Sequence, residues 1–360
     1  MPVSELTMNK NDIKKILVIR FRQVGDSILA TALCSTLKRN FPCAEIHFVL
    51  NKGIAPLYEG HPDIDRIITF DKSELKPFTT YAAKVWRIVH DCHYDVIIDM
   101  RSTLNTLLFS AFSLSTPFRI GVKKGYTRFL LTDEVSNNDH SADIDMVERN
   151  LMLAGPLNRI GDIVPVSDFS IHITEKERND FRNYMEREGI DFSRPVILIG
   201  VTTKILKKRW NMDFMAETLR RIIARHPDFQ MVFNYAPGQE EKDARDMFKR
   251  LGEPSCVKIN LQARSLRELA ALCANCDFYY GNEGGTRHLV QALDIPSFAI
   301  FSPSASPKVW MPQNHTTACG ISVDDIVAAD ARMSMTHEEL FDSITPDEVM
   351  LRLDPLLDRL

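Results

Sequence analysis

Two strand–turn–helix patterns, one near each end of the chain, most restrict what this sequence can fold into. In residues 277–301, DFYYGNEGGTRHLVQALDIPSFAIF, an aromatic run leads through two glycines into apolar residues at helical spacing. In residues 15–37, KILVIRFRQVGDSILATALCSTL, an apolar run broken only by Arg20 leads into an amphipathic helix that Asp26 is expected to open. Each pattern predicts a helix N-terminus at the end of a buried strand, where unpaired backbone N–H groups favour an anion.

Strand and helix patterns alternate through both halves of the chain, which predicts an α/β fold with doubly wound parallel sheets. Phe118–Gly125 and Asp133–Asp143 are interpreted as loops, and Arg101–Leu114 as a helix. The predicted strands are Ile16–Phe21, Glu45–Leu50, Ile64–Phe70, Val96–Asp99, Asp168–Ile173, Val196–Gly200, Met231–Asn234, Lys258–Asn260 and Asp277–Gly281.

The length of 360 residues favours two domains over one. We place an N-terminal domain at residues 1–178, a C-terminal domain at 179–344 and a final helix at 345–360. Because both domains carry a strand–turn–helix unit with acidic and glycine residues in its loop, we expect the two domains to face each other across a cleft.

Composition excludes several classes of protein. A net charge of −4 does not indicate a nucleic-acid binder, and no apolar run approaches the roughly 20 residues of a membrane span. The first residues lack the apolar core of an export signal, and seven cysteines fit reduced thiols in a cytoplasm. The one close cysteine pair, Cys273 and Cys276, is interpreted as a buried helix end, with zinc binding or redox chemistry as the alternative.

The residues of the two loops each allow two interpretations. Asp26 either caps its helix or acts as a base that deprotonates an acceptor hydroxyl. Glu283 is either a turn residue or a carboxylate that accepts hydrogen bonds from a sugar or ribose hydroxyl. His288 is either a structural hydrogen-bonding group or a contact to a phosphate or sugar.

A third candidate site follows the predicted strand Val196–Gly200, in the segment GVTTKILKKRW. Its hydroxyl and basic side chains form either a solvated surface or a site for a diphosphate, whose charge they would stabilise without a metal ion. The residues are Thr202, Thr203, Lys204, Lys207, Lys208 and Arg209.

These three segments, in their order along the chain, resemble glycosyltransferase family 9, the lipopolysaccharide heptosyltransferases and their relatives. The resemblance covers most of the chain. It implies a bacterial enzyme of GT-B architecture, with acceptor binding in the N-terminal domain and nucleotide-sugar binding in the C-terminal one. It also implies an inverting transfer that needs no metal or other cofactor, commonly from ADP-heptose.

The resemblance also implies roles for individual residues. Asp26 takes the position of the general base, and Glu240 or its neighbour Glu241 that of the acidic residue holding the adenosine ribose. The residues matched to the phosphate segment and to the family's Asp-Thr/Ser-Gly-x-x-His loop are Thr202, Thr203, Lys208, Glu283, Gly284, Gly285 and His288. Because Glu283-Gly284 replaces the usual Asp and hydroxyl residue, another nucleotide-sugar remains an alternative donor.

The expected acceptor is an anionic glycolipid, a Kdo- or phosphate-bearing lipid A core. The enzyme would then work at the cytoplasmic face of the inner membrane, in peripheral contact with it. A basic stretch is the candidate acceptor site, with a solvated surface as the alternative; it contains Arg101, Arg119, Lys123, Lys124 and Arg128.

Two other functions stay open at this point. A non-catalytic nucleotide-sugar binder would keep the phosphate segment without needing Asp26. An NAD-dependent oxidoreductase would also have two Rossmann-like halves, but the first loop lacks the G-x-G-x-x-G pattern.

Overall fold

Two six-stranded parallel sheets form the frame of the protein, one in each of two units, residues 1–172 and 173–360. The computed structural model describes residues 8–21, 23–137, 144–312 and 317–360. The strands of the first sheet are β1 Lys15–Ile19, β2 Glu45–Asn51, β3 Arg66–Phe70, β4 Val96–Asp99, β5 Phe118–Val122 and β6 Asp133–Val135. Those of the second are β7 Val196–Gly200, β8 Gln230–Phe233, β9 Val257–Lys258, β10 Phe278–Asn282, β11 Ser297–Ile300 and β12 Ala318–Ile321.

Helices connect most of the strands. In the first unit they are α1 Val24–Leu29, α2 Thr31–Asn40, α3 Phe78–Cys92, α4 Leu107–Ala111 and α5 Met146–Leu151. In the second they are α6 Glu175–Arg187, α7 Met212–Arg225, α8 Gln239–Arg250, α9 Leu266–Cys273, α10 Gly285–Ala292, α11 Pro307–Trp310, α12 Ala329–Arg332, α13 His337–Asp342 and α14 Pro346–Leu357. Short 3-10 helices lie at Lys10–Asp12, Ala55–Tyr58, Lys72–Leu75, Met152–Ile160, Leu206–Lys208 and Val323–Asp325.

Both sheets have the same doubly wound topology. The first has the order β3-β2-β1-β4-β5-β6 and the second β12-β11-β10-β7-β8-β9, so in each unit the first strand pairs with the second and the fourth. The chain therefore leaves the two central strands in opposite directions, which opens a crevice at the carboxyl ends of those strands. The loops after β1 and β4 in the first unit, and those after β7 and β10 in the second, are therefore the candidate ligand-binding loops.

Three of the sequence predictions for residues 101–143 are wrong. The segments interpreted as loops contain β5 and β6, which pair in parallel with Ile120 opposite Asp133. The strand β6 is a half-buried edge strand of three residues with no apolar run. The strand β5 is mostly buried, but Arg119 and Gly121 interrupt its apolar residues. Residues 138–143 of the second predicted loop lie outside the described residues. The helix predicted over Arg101–Leu114 is reduced to α4.

The predicted strand Asp168–Ile173 pairs with neither sheet. Side chains of α2 bind the backbone just before it and within it instead. Thr36 Oγ1 accepts a hydrogen bond from Val166 N at 2.9 Å, and Thr31 Oγ1 accepts one from Ser170 N at 3.2 Å. These side chains therefore satisfy backbone groups that a neighbouring strand would otherwise pair with.

The boundary between the units lies between His172 and Ile173, whereas the sequence placed it after residue 178, which falls inside α6. The C-terminal helix α14, which the sequence set apart, belongs to the second unit and packs against α7. Arg225 binds it through ion pairs of 2.7 Å to both Asp354 and Asp358.

Two glycines allow the central strands of the second sheet to approach closely. Gly281 has a φ of +154°, and a Cβ there would lie 2.5 Å from the backbone of Gly200. A Cβ on Gly200 would in turn overlap the Tyr279 hydroxyl. Only glycine fits such backbone geometry, so the β7–β10 contact depends on this pair.

We expect Gly281→Ala to lower the free energy of unfolding by about 3 kcal/mol or more, because backbone strain and steric overlap each cost about 1–3 kcal/mol. Gly284→Ala is the matched control, since the structure has open space around that position, and it should cost less than about 1 kcal/mol. Urea unfolding of both variants measures the difference. Equal stability of the two variants would contradict the assigned close approach.

Candidate functional site

Asn282, the last residue of β10, joins the loop after β7 to the end of β10. Its Oδ1 accepts a hydrogen bond from Trp210 N at 2.8 Å, and its Nδ2 donates to the carbonyl oxygens of Gly200 and Val201 at 2.9 Å each. Trp210 is buried, and its Nε1 donates to Ile344 O at 3.0 Å. Both ends of the Val201–Trp210 loop are therefore fixed beside the start of α10.

Lys208 and Glu283 form an ion pair at this junction. Lys208 Nζ lies 2.6 Å from Glu283 Oε2, with side-chain exposures of 25% and 3%. His288 Nε2 lies 3.9 Å from the other carboxylate oxygen of Glu283. A carboxylate removed from water needs such partners, because burying an unpaired charge is costly. The structure thus brings together three of the residues predicted from the sequence.

Arg287, which sequence reasoning did not single out, is fully buried behind His288. Its guanidinium donates to His288 Nδ1, to Gln291 Oε1 and to the carbonyl oxygen of Trp310. Burial lowers the pKa of Arg287 to about 10, so the side chain remains charged at neutral pH. Burial, together with the charges of Arg287 and Lys208, holds the pKa of His288 well below its usual value. His288 is therefore a neutral imidazole at physiological pH.

The N-terminus of α10 is open. Gly284, the residue before the helix, has an extended backbone with φ 174° and supplies no capping side chain, and Gly285 is the first helical residue. The first-turn N–H groups of a helix without a side-chain cap can bind an anion. Gly284 and Gly285 thus lie where the sequence predicted them, at the strand-to-helix turn beside Glu283.

The two threonines predicted to bind phosphate begin the loop after β7. Thr202 Oγ1 donates to Glu240 Oε2 at 3.3 Å, and Glu240 lies in the first turn of α8. Glu241, the alternative to Glu240 in the sequence analysis, instead pairs with Arg245 at 3.0 Å. Thr203 Oγ1 accepts a hydrogen bond from Ile205 N at 3.4 Å. Thr202 and Glu240 therefore contact each other directly, whereas the Thr203 hydroxyl stabilises the backbone of the loop.

In the first unit, Asp26 lies at the switch point beside β1. Its Oδ1 accepts a hydrogen bond from Arg20 Nη2 at 2.8 Å, and Arg20 Nη1 donates to Met100 O, just beyond β4, at 3.2 Å. The prediction that Asp26 opens or caps its helix is wrong, because α1 begins at Val24 and Gln23 precedes it. The sequence signal for this pairing was Arg20, the one charged residue in the otherwise apolar run Ile16–Phe21.

The predicted acceptor residues differ in their surroundings. Arg101 Nη1 donates to Phe21 O at 2.7 Å, beside the loop that leads to α1. The Arg119 guanidinium donates to the carbonyl oxygens of Leu114, Thr116 and Leu130, so it stabilises two turns. The remaining three follow β5, with Lys124 half-buried and the others exposed: Lys123, Lys124 and Arg128.

The Cys273–Cys276 pair lies at the end of α9, as predicted, and both residues are buried. Burial raises the pKa of each thiol, which keeps it protonated. Within the described ranges, no three His, Cys, Asp or Glu side chains are grouped so that they could hold a metal ion. Among the same residues, no helix has both the length and the apolar character needed to cross a bilayer.

Comparison with known proteins identifies the family of this chain. The family model "Glycosyltransferase family 9 (heptosyltransferase)" matches residues 82–337. Lipopolysaccharide heptosyltransferase 2 of Salmonella typhimurium is 26% identical, over 95% of this chain and 98% of its own.

Two solved structures share the fold. The glycosyl transferase family 9 structure from Veillonella parvula matches with a TM-score of 0.82 and 18% identity, over 99% of this chain and 100% of its own. The E. coli ADP-heptose lps heptosyltransferase II matches with a TM-score of 0.73 and 22% identity, over 96% and 99%. The predicted fold class, two Rossmann-like domains of the GT-B type, is confirmed. The chain belongs to glycosyltransferase family 9, and it is a glycosyltransferase.

Proposed function

We propose that this enzyme transfers a heptose from ADP-heptose to a lipopolysaccharide inner-core acceptor. The observation that carries the proposal is the junction of Lys208, Glu283 and the open N-terminus of α10 at the switch point of the second sheet. A cation beside a helix N-terminus suits a diphosphate. The names of the two heptosyltransferases described above support heptose as the sugar.

The donor would occupy the second unit. Lys208 and the α10 N-terminus would bind the diphosphate, with the hydroxyls of Thr202 and Thr203 at the other end of the loop. Glu240 would accept hydrogen bonds from the ribose hydroxyls. Glu283 and the neutral His288 would orient the sugar, since an ionised carboxylate accepts hydrogen bonds and a neutral imidazole can donate one.

The proposed reaction is a single in-line displacement at the anomeric carbon. The acceptor oxygen forms a bond to that carbon as the bond to the diphosphate oxygen breaks, so the configuration is inverted and ADP leaves. Asp26 takes the proton of the acceptor hydroxyl. The positive charge of Lys208 and the α10 dipole offset the charge on the departing diphosphate, so the reaction needs no metal ion.

The acceptor would be an anionic lipid A core, bound by the first unit. Arg101, Lys123, Lys124 and Arg128 are the candidate contacts for its phosphate or carboxylate groups. Arg119 has a smaller part in this proposal, because its guanidinium already binds three carbonyl groups. We place the reaction at the cytoplasmic face of the inner membrane, where such an acceptor would be met.

A second nucleotide-sugar is the main alternative donor. The observation that favours it is the pairing of Glu283 with Lys208 beside Gly284, a position without a hydroxyl. The affinities for ADP-heptose and for other nucleotide-sugars therefore decide between the two candidate donors.

The first prediction concerns the nucleotide. At a concentration of about 100 times Kd, ADP or ADP-heptose should stabilise the protein by about 2.7 kcal/mol, because a ligand that binds only the folded state shifts the unfolding equilibrium. NAD at the same concentration should not stabilise the protein, since the first loop lacks the G-x-G-x-x-G pattern that binds dinucleotides. Thermal unfolding measures both. Stabilisation by NAD or by another nucleotide-sugar, without any by ADP-heptose, would contradict the assigned donor.

Lys208→Ala should weaken donor binding about 10-fold or more, because it removes a charge-assisted hydrogen bond to the diphosphate. Lys207→Ala is the matched control, since Lys207 is exposed in the same loop, and it should change Kd less than about twofold. Calorimetry at a temperature where both variants are folded gives the affinities. If the two variants bind alike, Lys208 is not the phosphate ligand.

Asp26→Asn should slow transfer by about 10²–10⁴-fold, because it removes the basic carboxylate while keeping the side chain's size. Donor affinity should stay within about twofold, since the donor residues lie in the other unit. Single-turnover transfer to a lipid A core acceptor, with calorimetry of donor binding, separates the two effects. Full transfer by the Asn variant would assign the base to another residue.

A further inference from the structure

The connection between β5 and β6, residues 123–132, is unusual for parallel strands because it contains no helix. It consists of two successive turns, closed by hydrogen bonds from Thr127 N to Lys124 O at 3.1 Å and from Leu130 N to Thr127 O at 3.0 Å. Residues three apart in such turns lie on the same side. Tyr126 and Phe129 are three apart, so they project from one side of the connection.

Both aromatic side chains are exposed, and the loop after β4 carries a third exposed apolar side chain. Phe129 is 87% exposed, Leu104 72% and Tyr126 45%. The Tyr126 hydroxyl donates to Ser102 O at 3.0 Å, which joins the connection to the loop after β4 two residues before Leu104. A single exposed apolar residue is ordinary, whereas here three exposed apolar residues lie on two loops that a hydrogen bond joins.

Basic residues are interleaved with these apolar ones. Lys123 and Arg128 are exposed, and Lys124 is half-buried. The acidic groups that the described residues place against the two loops are Asp99, Asp133 and Glu134. Asp99 is fully buried and accepts hydrogen bonds from Arg101 N and Ser102 N, while Glu134 accepts one from Thr127 Oγ1. Asp133 accepts a hydrogen bond from Thr132 Oγ1 and pairs with Arg159 at 2.8 Å. Because all three carboxylates have such partners, the outer surface is positive although the chain's net charge is −4.

We infer that Leu104, Lys123, Lys124, Tyr126, Arg128 and Phe129 form a docking surface for an anionic phospholipid bilayer. A membrane-binding surface combines apolar side chains that enter the acyl boundary, aromatic side chains with a polar end, and cations that meet anionic headgroups. A protein partner fits this six-residue surface less well, because a stable protein–protein interface uses about 20–30 residues on each side. The inference rests on the proposed function in one respect, namely that the acceptor would be a glycolipid of that membrane.

The experiment is co-sedimentation of the full chain with sucrose-loaded vesicles of phosphatidylcholine, with or without phosphatidylglycerol. The wild-type protein should bind only the vesicles that contain phosphatidylglycerol. Binding should weaken between about 0.1 M and 1 M salt, where the screening length falls from about 10 Å to 3 Å. Failure of the wild-type protein to bind, or equal binding to both vesicle types, would overturn the inference.

Substitutions on the docking surface test whether these residues bind the vesicles. Phe129→Ser should lower vesicle affinity about 10-fold, and Leu104→Ser about fivefold, because each removes exposed apolar area from the membrane contact. Replacing Lys123, Lys124 and Arg128 together by Gln should abolish the preference for phosphatidylglycerol. Phe78→Ser is the matched control, since Phe78 is 57% exposed at the start of α3, and it should bind as the wild type does. Loss of affinity in Phe78→Ser equal to that in Phe129→Ser would contradict the assigned surface.

A parallel assay separates this inference from the proposed function. Phe129→Ser should transfer sugar to a detergent-dispersed acceptor at the wild-type rate, because Phe129 is outside the proposed catalytic residues. If Phe129→Ser loses that transfer but keeps full vesicle binding, the loop binds the acceptor itself and the inference fails. If the wild-type protein binds vesicles as expected but transfers no heptose, the docking surface stands and the proposed function fails.

Discussion

The close approach of Gly200 and Gly281 is the constraint on which the second unit depends. Without side chains at these positions, β7 and β10 come near enough for Asn282 to reach the carbonyl oxygens of Gly200 and Val201. The same amide binds the backbone of Trp210 and so fixes the loop that carries Lys208. The placement of the basic loop beside α10 therefore follows from backbone packing. A change in these two strands would therefore alter the site through the backbone that positions it.

Charge balance is the second organising feature of the site. Glu283 is nearly inaccessible to water, and its carboxylate lies beside Lys208 and close to His288. Burial, together with the charges of Arg287 and Lys208, lowers the pKa of His288 and keeps its imidazole neutral. In the first unit, Asp26 and Arg20 form a comparable buried pair. Both units thus hold a carboxylate against a cation at the end of a central strand, where a parallel sheet offers polar backbone groups and space for a ligand.

Much of the fold could be predicted from the sequence, because central parallel strands are continuous apolar runs and their helices have clear amphipathic spacing. The strand β6 was missed because an edge strand of three half-buried residues carries no such pattern. The strand β5 was missed because Arg119 and Gly121 interrupt the apolar run of a short, mostly buried strand. Of the residues predicted for the site, Lys208, Glu283 and His288 lie together, and their roles toward a ligand stay predictions. The contacts of Arg287 to Trp310 O, of Asn282 to the loop after β7 and of Arg20 to Met100 O were not predicted. These contacts join residues far apart in the sequence, so the spacing of residues along one helix or strand does not indicate them.

The ion pair between Glu283 and Lys208 has a consequence for the proposed donor site. The Glu283 carboxylate is the internal counter-ion of Lys208, with Nζ 2.6 Å from Oε2. A diphosphate bound as proposed would exchange one anion for another at Lys208. The released carboxylate would then be available to a sugar hydroxyl. Recognition of the two halves of a nucleotide-sugar would be coupled through a single lysine.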